Sequence, residues 1–308
     1  MSFIKKVPDI SQENIDYKFP IDLVGLQDLR LPVRLTDKLS VLAKITLLVS
    51  LDNKDQRGIH MSRLYLTLFE EFSKKIVNFS SLKTALQKAI KSQKGDSSSG
   101  QIKLSADWPV IRKALKSSIK GWRNYPIYFQ VDYSKNKSSF KYMAGGEVLY
   151  SSTCPCSTSL SAQIIKQDFE KKFSNSKTFN KKEVLSYLSD KSFLTATPHA
   201  QKSSAFFKLQ LKESSKNRFS FLKLIDDIEK SLGTAVQTAV KREDEAEFAK
   251  RNAQNLMFCE DAVRRLAMLF NDKKDISDFL VRVQHYESLH PFTVESSISK
   301  GVKGGLKA

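Results

Sequence analysis

The sequence predicts an α+β protein built from two copies of a β–β–α–α-like unit. Some segments are rich in β-branched residues or alternate apolar and polar residues, which predicts strands. Other segments place apolar residues three or four positions apart, which predicts amphipathic helices. The order of these segments in the first half of the chain recurs in the second half, although the two halves share no detectable sequence identity.

The first half is predicted to contain a strand (43–52), two helices (61–76 and 80–91) and two paired strands (124–134 and 140–152). The first helix is indicated by four apolar residues on one helical face, Leu64, Leu68, Phe72 and Ile76. The stretch 92–101 is rich in Ser and Gly, and this composition predicts a flexible loop.

The second half is predicted to contain a strand (204–213), two helices (219–236 and 255–272) and a further strand (278–290). These elements divide the chain into a lead-in (1–40), a first unit (41–160), an insertion (161–198), a second unit (199–298) and a disordered basic tail (299–308). The insertion could be a lid, an oligomer contact or a neutral insertion, and we favour the last.

The composition is typical of a globular protein with a substantial core, since 41% of the 308 residues are hydrophobic. The longest apolar run, near 45–51, is far too short to span a bilayer. The first residues lack the apolar stretch of a secretory signal. Three cysteines, an odd number, argue against a disulfide framework. We therefore expect a cytoplasmic protein with no membrane partner.

The chain is strongly basic, with 51 Lys and Arg against 33 Asp and Glu and a net charge of +18. Such a charge is compatible with nucleic-acid binding. However, only 12 of the basic residues are arginines, and no aromatic–basic RNA-binding signature is present. We therefore favour a solvated lysine-rich surface and expect no nucleic-acid partner. The same positive field would attract a polyanionic small substrate such as a nucleoside triphosphate.

The four histidines differ in their predicted settings. His60 begins a predicted helix, His199 precedes a predicted strand, and His290 ends another strand. Rigid elements present side chains at their ends, so these three histidines are candidates for a site. His285 lies in the middle of a strand on the same face as two valines, which favours a structural role.

Two cysteines, Cys154 and Cys156, flank Pro155 in a Ser/Thr-rich turn. From the residues alone, three interpretations stay open: packed thiols, a redox pair, or part of a metal site. A disulfide between residues i and i+2 would be strained, and no C-x-x-C motif is present. One thiolate with imidazoles suits a catalytic zinc site, which needs about three protein ligands. Cys259 lies on an apolar helix face and is predicted to belong to the core.

Six short motifs occur in the order GIHMSRL (58–64), STCPCS (152–157), PHAQKS (198–203), KREDE (241–245), FCEDAVRRLA (258–267) and YESLHP (286–291). Together they resemble the type IB GTP cyclohydrolase I family. The resemblance implies metal-dependent opening of the guanine imidazole ring of GTP, which begins folate and pterin biosynthesis. It also implies a tunnelling fold, with two tandem ββαα units, antiparallel sheets and helices on one face. The chain would form a homo-oligomer, expected to be a tetramer, with active sites at subunit interfaces.

The positions of these motifs imply roles for individual residues. The resemblance implies that a divalent metal is held by four side chains, Cys154, His199, Glu245 and His290. One thiolate fits zinc, and a mixed site with a carboxylate also suits manganese or iron(II). Cys154 is further expected to be catalytic, Glu260 to accept hydrogen bonds from guanine, and His60 or Glu245 to move protons. The candidate ligands of the triphosphate are Arg63, Lys202, Lys241 and Arg242.

The sequence departs from the family pattern in three motifs. Ala200 and Lys202 stand where the family has Asn and Arg, Glu243 replaces a proline, and Phe292 replaces a second histidine. A family member without activity is therefore one alternative. Another tunnelling-fold enzyme, of the nitrile reductase type, is a second, although the histidine at 290 favours the hydrolase. A basic, non-catalytic nucleic-acid-binding protein is the third.

Overall fold

The computed structural model describes residues 10–13, 16–135, 138–175, 178–190 and 193–308. The strands are β1 (Ile21–Thr36), β2 (Leu39–Leu51), β3 (Ser99–Lys113), β4 (Lys120–Ser134), β5 (Ser139–Thr153), β6 (Ala200–Leu211), β7 (Ile276–Tyr286) and β8 (Thr293–Ser299). The helices are α1 (Met61–Phe72), α2 (Phe79–Ser92), α3 (Pro155–Lys172), α4 (Lys181–Ser189), α5 (Phe221–Leu232), α6 (Arg242–Gln254) and α7 (Cys259–Asn271).

Within the described residues, the strands form one eight-stranded antiparallel sheet whose spatial order is the chain order, β1 to β8. Strand β4 pairs with β5 from Ile127 opposite Gly146 to Ser134 opposite Ser139. Strand β5 pairs on its other side with β6 along the full length of β6. Because every strand is antiparallel to its neighbours, the ends of the strands alternate, and each end of the sheet collects residues from both halves of the chain.

The predicted tunnelling fold of two tandem ββαα units is wrong. Since β5 pairs with β4 on one side and with β6 on the other, the two halves share one continuous sheet. Each half also supplies four strands around its helices, β1–β4 and β5–β8, rather than the two strands of a ββαα unit. The shared sheet satisfies backbone groups that two separate units would leave unpaired at their facing edges.

Strand β1 lies within the region that the sequence predicts to be an extended lead-in. Its ladder with β2 contains several register shifts, among them one between Leu26 and Leu29. Such bulges interrupt the two-residue alternation by which a strand is recognised in a sequence. Glycine is needed at position 25, because a Cβ there would collide with the carbonyl oxygen of Leu47 on β2. The other predicted boundaries of the domains stay predictions.

The core lies on the side of the sheet that the helices cover. Strand β2 buries alternate side chains completely, namely Ala43, Ile45, Leu47 and Val49, while Leu42 beside them is exposed. Helix α1 presents the apolar face predicted from the sequence, with Leu64 and Leu68 fully buried. Helices α5 and α7 cover the second half, where the ring of Phe270 contacts Phe207.

Helices α3 and α4 lie between β5 and β6 and contribute little to the core. In their described residues, Ser161 is the one buried side chain. Phe169, Phe173 and Tyr187 hold the two helices together, with ring centroids 4.7 to 5.8 Å apart. Neither these helices nor the others in the described part of the chain have the length and hydropathy required to cross a membrane.

Replacing Phe270 with Ala should lower the free energy of unfolding by about 3–5 kcal/mol, because a buried aromatic side chain leaves a cavity. Phe270 is fully buried on α7, with ring centroids 6.0 Å from Phe207 and 5.9 Å from Phe279. The measurement is urea unfolding followed by circular dichroism. Met268→Ala is the matched control on the same helix, because Met268 is 68% exposed. A loss for Phe270→Ala no larger than the control's would contradict the assigned core.

Candidate active site

The candidate site lies where β5 ends and β6 begins. Thr153 pairs with Ala200 in the last step of this ladder. The pairing continues for one further hydrogen bond, in which the backbone N–H of Cys154 donates to the carbonyl of His199 at 3.3 Å. Two predicted site residues that are far apart in sequence therefore lie side by side.

The C-P-C sequence marks the change from strand to helix. Cys154 is the N-cap residue of α3 and Pro155 is the first helical residue, a position where the missing N–H of proline has no cost. The carbonyl of Cys154 accepts hydrogen bonds from the backbone N–H of Thr158 at 3.1 Å and from its hydroxyl at 2.9 Å. The macrodipole of α3 favours negative charge at this end of the helix, where Cys154 lies.

The cysteines have different surroundings. Cys154 is half-buried, Cys156 is exposed, and Cys259 is buried on α7 as the sequence predicts. Within the described residues all three are free thiols. Cys154 is therefore the cysteine that is both partly shielded from solvent and adjacent to a histidine.

His199 has an unpartnered side-chain nitrogen. Its backbone N–H donates to the hydroxyl of Ser157 at 3.1 Å, which fixes the residue against α3. Its ring Nε2 is buried without a hydrogen-bond partner, and so are Thr153 Oγ1 and Gln201 Oε1 on the same two strands. A buried polar atom without a partner costs about 1–3 kcal/mol. Such a concentration beside Cys154 indicates a place prepared for a ligand.

Glu245 and Lys202 line a cavity of about 390 Å³ between this end of the sheet and α6. The wall includes Ala200 and Gln201, the two residues that follow His199. Apolar lining comes from Phe248 on α6. The cavity thus combines a carboxylate, an ammonium group and an apolar wall next to the paired Cys154 and His199.

Asp244 is a residue of this site that the sequence analysis missed. Its buried carboxylate accepts hydrogen bonds from the backbone N–H groups of Lys116, Ser117 and Lys241 at 2.7–2.9 Å, and from the Ser117 hydroxyl at 2.6 Å. Burial opposes ionisation, but these hydrogen bonds hold the pKa of Asp244 well below its usual range. Asp244 thereby fixes the start of α6, and with it Glu245, to the β3–β4 loop. Its place at the third helical position is a capping signal that could have identified it.

His290 lies on the loop between β7 and β8, at the same end of the sheet. This loop is held to β6 by a hydrogen bond from Gln201 Nε2 to Glu287 Oε1 at 2.9 Å. The His290 ring is exposed and stacks on Phe292 with a centroid distance of 4.8 Å. Phe292, at the position where the resemblance would place a second histidine, therefore contacts the ring of the histidine that is present.

The proposed guanine and triphosphate ligands are divided between several elements. The start of α7 lies near the site, because the backbone N–H of Met257 donates to the Thr153 carbonyl at 3.2 Å. Glu260 is exposed in the first turn of this helix. Lys241 and Arg242 are exposed at the start of α6. The Lys202 Nζ atom lies 5.9 Å from the centroid of the Tyr286 ring.

His60 and Arg63 are not brought to this place. They begin α1, which follows the end of β2 at Leu51, and that end of the sheet is opposite to Thr153. A strand as long as β5 spans on the order of 45 Å. The His60 backbone N–H donates to Gln93 Oε1 at 3.0 Å, and Arg63 Nη1 donates to the Ser92 carbonyl at 2.9 Å. Neither side chain can share a site with Cys154 of the same chain.

The described residues contain no group of three or more His, Cys, Asp or Glu side chains close enough to hold a metal ion. Two of the four predicted ligands, Cys154 and His199, are neighbours, and Glu245 and His290 lie at the same end of the sheet. A buried imidazole nitrogen without a partner, on a residue whose backbone pairs with a cysteine, fits the donors that zinc prefers. The residues present are therefore compatible with a metal.

The comparisons with known proteins identify the family. The family model described as type I GTP cyclohydrolase folE2 matches residues 7–296. The chain belongs to this family. The protein named GTP cyclohydrolase FolE2 from Bdellovibrio bacteriovorus is 41% identical over 97% of this chain and 98% of its own. The protein of the same name from Hydrogenovibrio crunogenus is 38% identical over 97% and 96%. The resemblance seen in the motifs is thus confirmed for type I GTP cyclohydrolases, with FolE2 as the family.

Among solved structures, this chain is similar in fold to uricase from Arthrobacter globiformis. The TM-score is 0.52 at 9% identity, with 94% of this chain and 96% of the uricase chain covered. A hyper-thermostable mutant of AgUricase gives a TM-score of 0.50 at 8% identity, with 91% and 92% covered. Identities this low show a shared fold alone. The likeness agrees with the single sheet and not with the predicted pair of ββαα units.

A buried network of hydrogen bonds connects β5, β6 and β7 close to the site. Tyr150 Oη and Ser152 Oγ, on β5, lie 2.7 and 3.2 Å from the two ring nitrogens of His285, and Ser152 also contacts Ser203 on β6 at 2.8 Å. Burial lowers the pKa of His285 to about 4, against a smaller opposing effect of Glu260. His285 is therefore neutral at physiological pH and has the structural role that the sequence predicts.

The pH dependence of stability should reveal this buried histidine. Between pH 6.5 and 4 the unfolded chain binds a proton at His285 that the folded chain does not, so the free energy of unfolding should fall by about 1.4 kcal/mol for each pH unit of acidification. Above pH 6.5 this contribution is constant. His285→Gln should remove it, so the stability advantage of the wild type should shrink as the pH falls. Urea unfolding of both proteins from about pH 4 to 8 is the measurement, and a pH-independent difference would contradict the assignment.

Proposed function

We propose that this chain catalyses the hydrolysis of GTP to 7,8-dihydroneopterin 3′-triphosphate and formate, the first step of folate and pterin biosynthesis. The observation that carries the proposal is the pairing of Cys154 with His199, whose ring nitrogen is buried and unpartnered. The motifs of the type IB resemblance assign a role to these same two residues. The relatives at 38–41% identity bear the name GTP cyclohydrolase FolE2, which agrees with this activity.

Cys154, His199 and His290, with Glu245 as a further ligand, are the residues that would hold a divalent metal. When bound, the metal would supply an activated water by lowering the pKa of that water from roughly 15.7 to about 7. Zinc, manganese and iron(II) are all compatible with one sulfur, imidazoles and a carboxylate. The β5–β6 ladder holds the Cys154 and His199 backbones in fixed relative positions.

Glu260 is proposed to orient the substrate. Its carboxylate can accept hydrogen bonds from the N–H groups on the edge of guanine, which directs the C8 atom away from that contact. Its position in the first turn of α7 keeps it near the end of β5, through the hydrogen bond between Met257 and Thr153. The apolar wall of the cavity beside Glu245 suits a planar purine.

Proton transfer completes the proposal. A first water adds to C8, and cleavage of one bond between C8 and a ring nitrogen leaves a formamide. A second water then cleaves the other C8–N bond and releases formate, and each freed nitrogen takes up a proton. The opened ribose rearranges and condenses with a freed amine, which releases one water and closes the pterin ring. We propose that Glu245 moves protons in these steps, because it lines the cavity and Asp244 fixes its helix. His60 lies at the opposite end of the sheet and could take part only from a second copy of the chain.

The triphosphate is proposed to contact Lys202, Lys241 and Arg242, which lie around the start of α6 and on β6. Arg63, at the far end of the sheet, would have to come from a second copy. This division supports a homo-oligomer, expected to be a tetramer, with sites at the interfaces between subunits. The free cysteines suit the reducing cytosol, where we propose that the enzyme acts.

Cys154→Ser and His199→Ala should each reduce kcat/KM for GTP by at least ~100-fold, because each removes a proposed metal ligand. Product is measured as neopterin fluorescence after oxidation, and formate is measured in parallel. Cys156→Ser is the matched control, since Cys156 lies two residues away and is exposed, and it should retain wild-type turnover. Full activity in folded Cys154→Ser or His199→Ala protein would refute the proposed site.

Chelation should abolish turnover, and adding back zinc, manganese or iron(II) singly should restore it to different extents. Metal content, measured by elemental analysis on each protein, should fall in Cys154→Ser but not in Cys156→Ser. This second readout separates loss of metal from loss of chemistry. Undiminished turnover by folded protein that elemental analysis finds free of metal would overturn the metal-dependent mechanism.

A further inference from the structure

A second cavity, of about 730 Å³, lies on the helix side of the sheet near the same end. Its walls are the end of β3, the start of β4, helix α5, the segment 233–237 and the end of α6. We call it the arginine cavity, after Arg112 and Arg123, which line it from the sheet. Its volume is in the range that holds a small molecule.

The lining of the arginine cavity is predominantly cationic. Five basic side chains contribute to it, namely Arg112, Lys113, Arg123, Lys230 and Arg251, and two carboxylates oppose them, Asp226 and Glu229. Arg112 pairs with Asp226 at 2.6 Å, and Arg123 pairs with Glu229 at 2.7 Å. Arg251 pairs with Glu247, outside the lining, at 2.8 Å. All three arginines of the lining therefore have a carboxylate partner, and among the described residues no carboxylate of the lining remains for Lys113 or Lys230.

The two arginines are mostly buried and only partly satisfied. Arg112 Nη2 and Arg123 Nε are shielded from solvent and have no hydrogen-bond acceptor. Arg112 Nε and Arg123 Nη1 both contact the hydroxyl of Tyr125, at 2.9 and 3.2 Å. That hydroxyl donates to Glu229 at 2.6 Å, and burial together with this hydrogen bond raises the pKa of Tyr125 to about 12. Tyr125 therefore stays neutral and holds the arginine side chains in place.

We propose that the arginine cavity binds a phosphoryl anion. Guanidinium groups match the geometry of phosphate oxygens, and Arg112 and Arg123, which line the cavity, each keep a nitrogen without an acceptor. In the described part of the chain, Lys113 and Lys230 remain without a carboxylate partner in the lining, so an anion with several charges is favoured over a singly charged one. Neither the motifs nor the proposed reaction assigns these two arginines a role.

The phosphoryl group could come from two sources. Gln237 lines both the arginine cavity and the cavity that contains Glu245, so the two spaces adjoin each other. The tail of a nucleotide held in the proposed active site is one source. Free phosphate or pyrophosphate, acting as a separate effector, is the other. Both make the same contacts with the arginines, and binding measurements can separate them.

The test is isothermal titration calorimetry of the full chain with inorganic pyrophosphate, and then with GTP. Wild-type protein should bind pyrophosphate with a Kd below about 1 mM. Lys230→Ala should weaken this binding at least ~5-fold, because it removes a charge-assisted donor. Lys223→Ala is the matched control, since this exposed lysine lies on the same helix but outside the cavity, and it should bind as wild type does.

Arg123→Gln extends the test to a buried position and should weaken binding further. If it fails to fold, the exposed Lys230 keeps the proposal testable. Cys154→Ser should retain the pyrophosphate signal, which excludes metal chelation and separates this site from the proposed active site. If GTP competes with pyrophosphate and Lys230→Ala also weakens GTP, the ligand is the nucleotide tail; if GTP binding is unchanged, it is a free anion. Absence of pyrophosphate binding, or equal binding by Lys230→Ala and Lys223→Ala, would overturn the proposal.

Discussion

The antiparallel ladder between β5 and β6 is the constraint on which the rest of the structure depends. It runs without a register shift from Tyr142 opposite Leu211 to Thr153 opposite Ala200. It joins the two halves of the chain into one sheet, and its last hydrogen bond sets Cys154 beside His199. A slip of one residue would turn every core side chain of these strands to the other face of the sheet. The register that packs the core therefore also assembles the candidate site.

Helices α1, α2, α5 and α7 could be predicted because their apolar faces are buried in the same core, whereas α6, which buries only Asp244, was not predicted. Leu64, Leu68 and Phe72 give α1 its period, and the predictions over 61–76 and 219–236 locate α1 and α5 to within a few residues. The strands were harder to predict. Bulges interrupt the alternation of β1, and the start of β3 at Ser99 lies in a Ser/Gly-rich stretch whose composition predicts a loop. The single sheet could not be predicted, because residue patterns show which segments form strands and do not show that β5 pairs with both β4 and β6.

The candidate site was predictable to the extent that its residues lie in motifs. Cys154, His199 and Glu245 each stand in a short sequence that resembles a known family, and the structure places all three at one end of the sheet. The motif containing His60 has the same kind of resemblance, but it belongs to the opposite end. A motif records which side chains act together, and it does not record whether they act within one chain. Because His60 lies at the opposite end of the sheet from Cys154, His199 and Glu245, we expect a site that is shared between two copies of the chain.

The distribution of unsatisfied polar atoms supports the assignment of one end of the sheet to function. Five of the eight buried side-chain atoms without a partner, among the described residues, belong to Arg112, Arg123, Thr153, His199 and Gln201. All five residues lie in the strands at the end where β5 meets β6, or next to it. Natural sequences tolerate such a loss of stability mainly at functional sites. At the other end, Gln56 Oε1 is also buried without a partner, whereas Arg63 Nη1 donates to the Ser92 carbonyl. The chain thus concentrates its unpaired donors and acceptors where a metal, a purine and a phosphoryl group would each supply the missing partner.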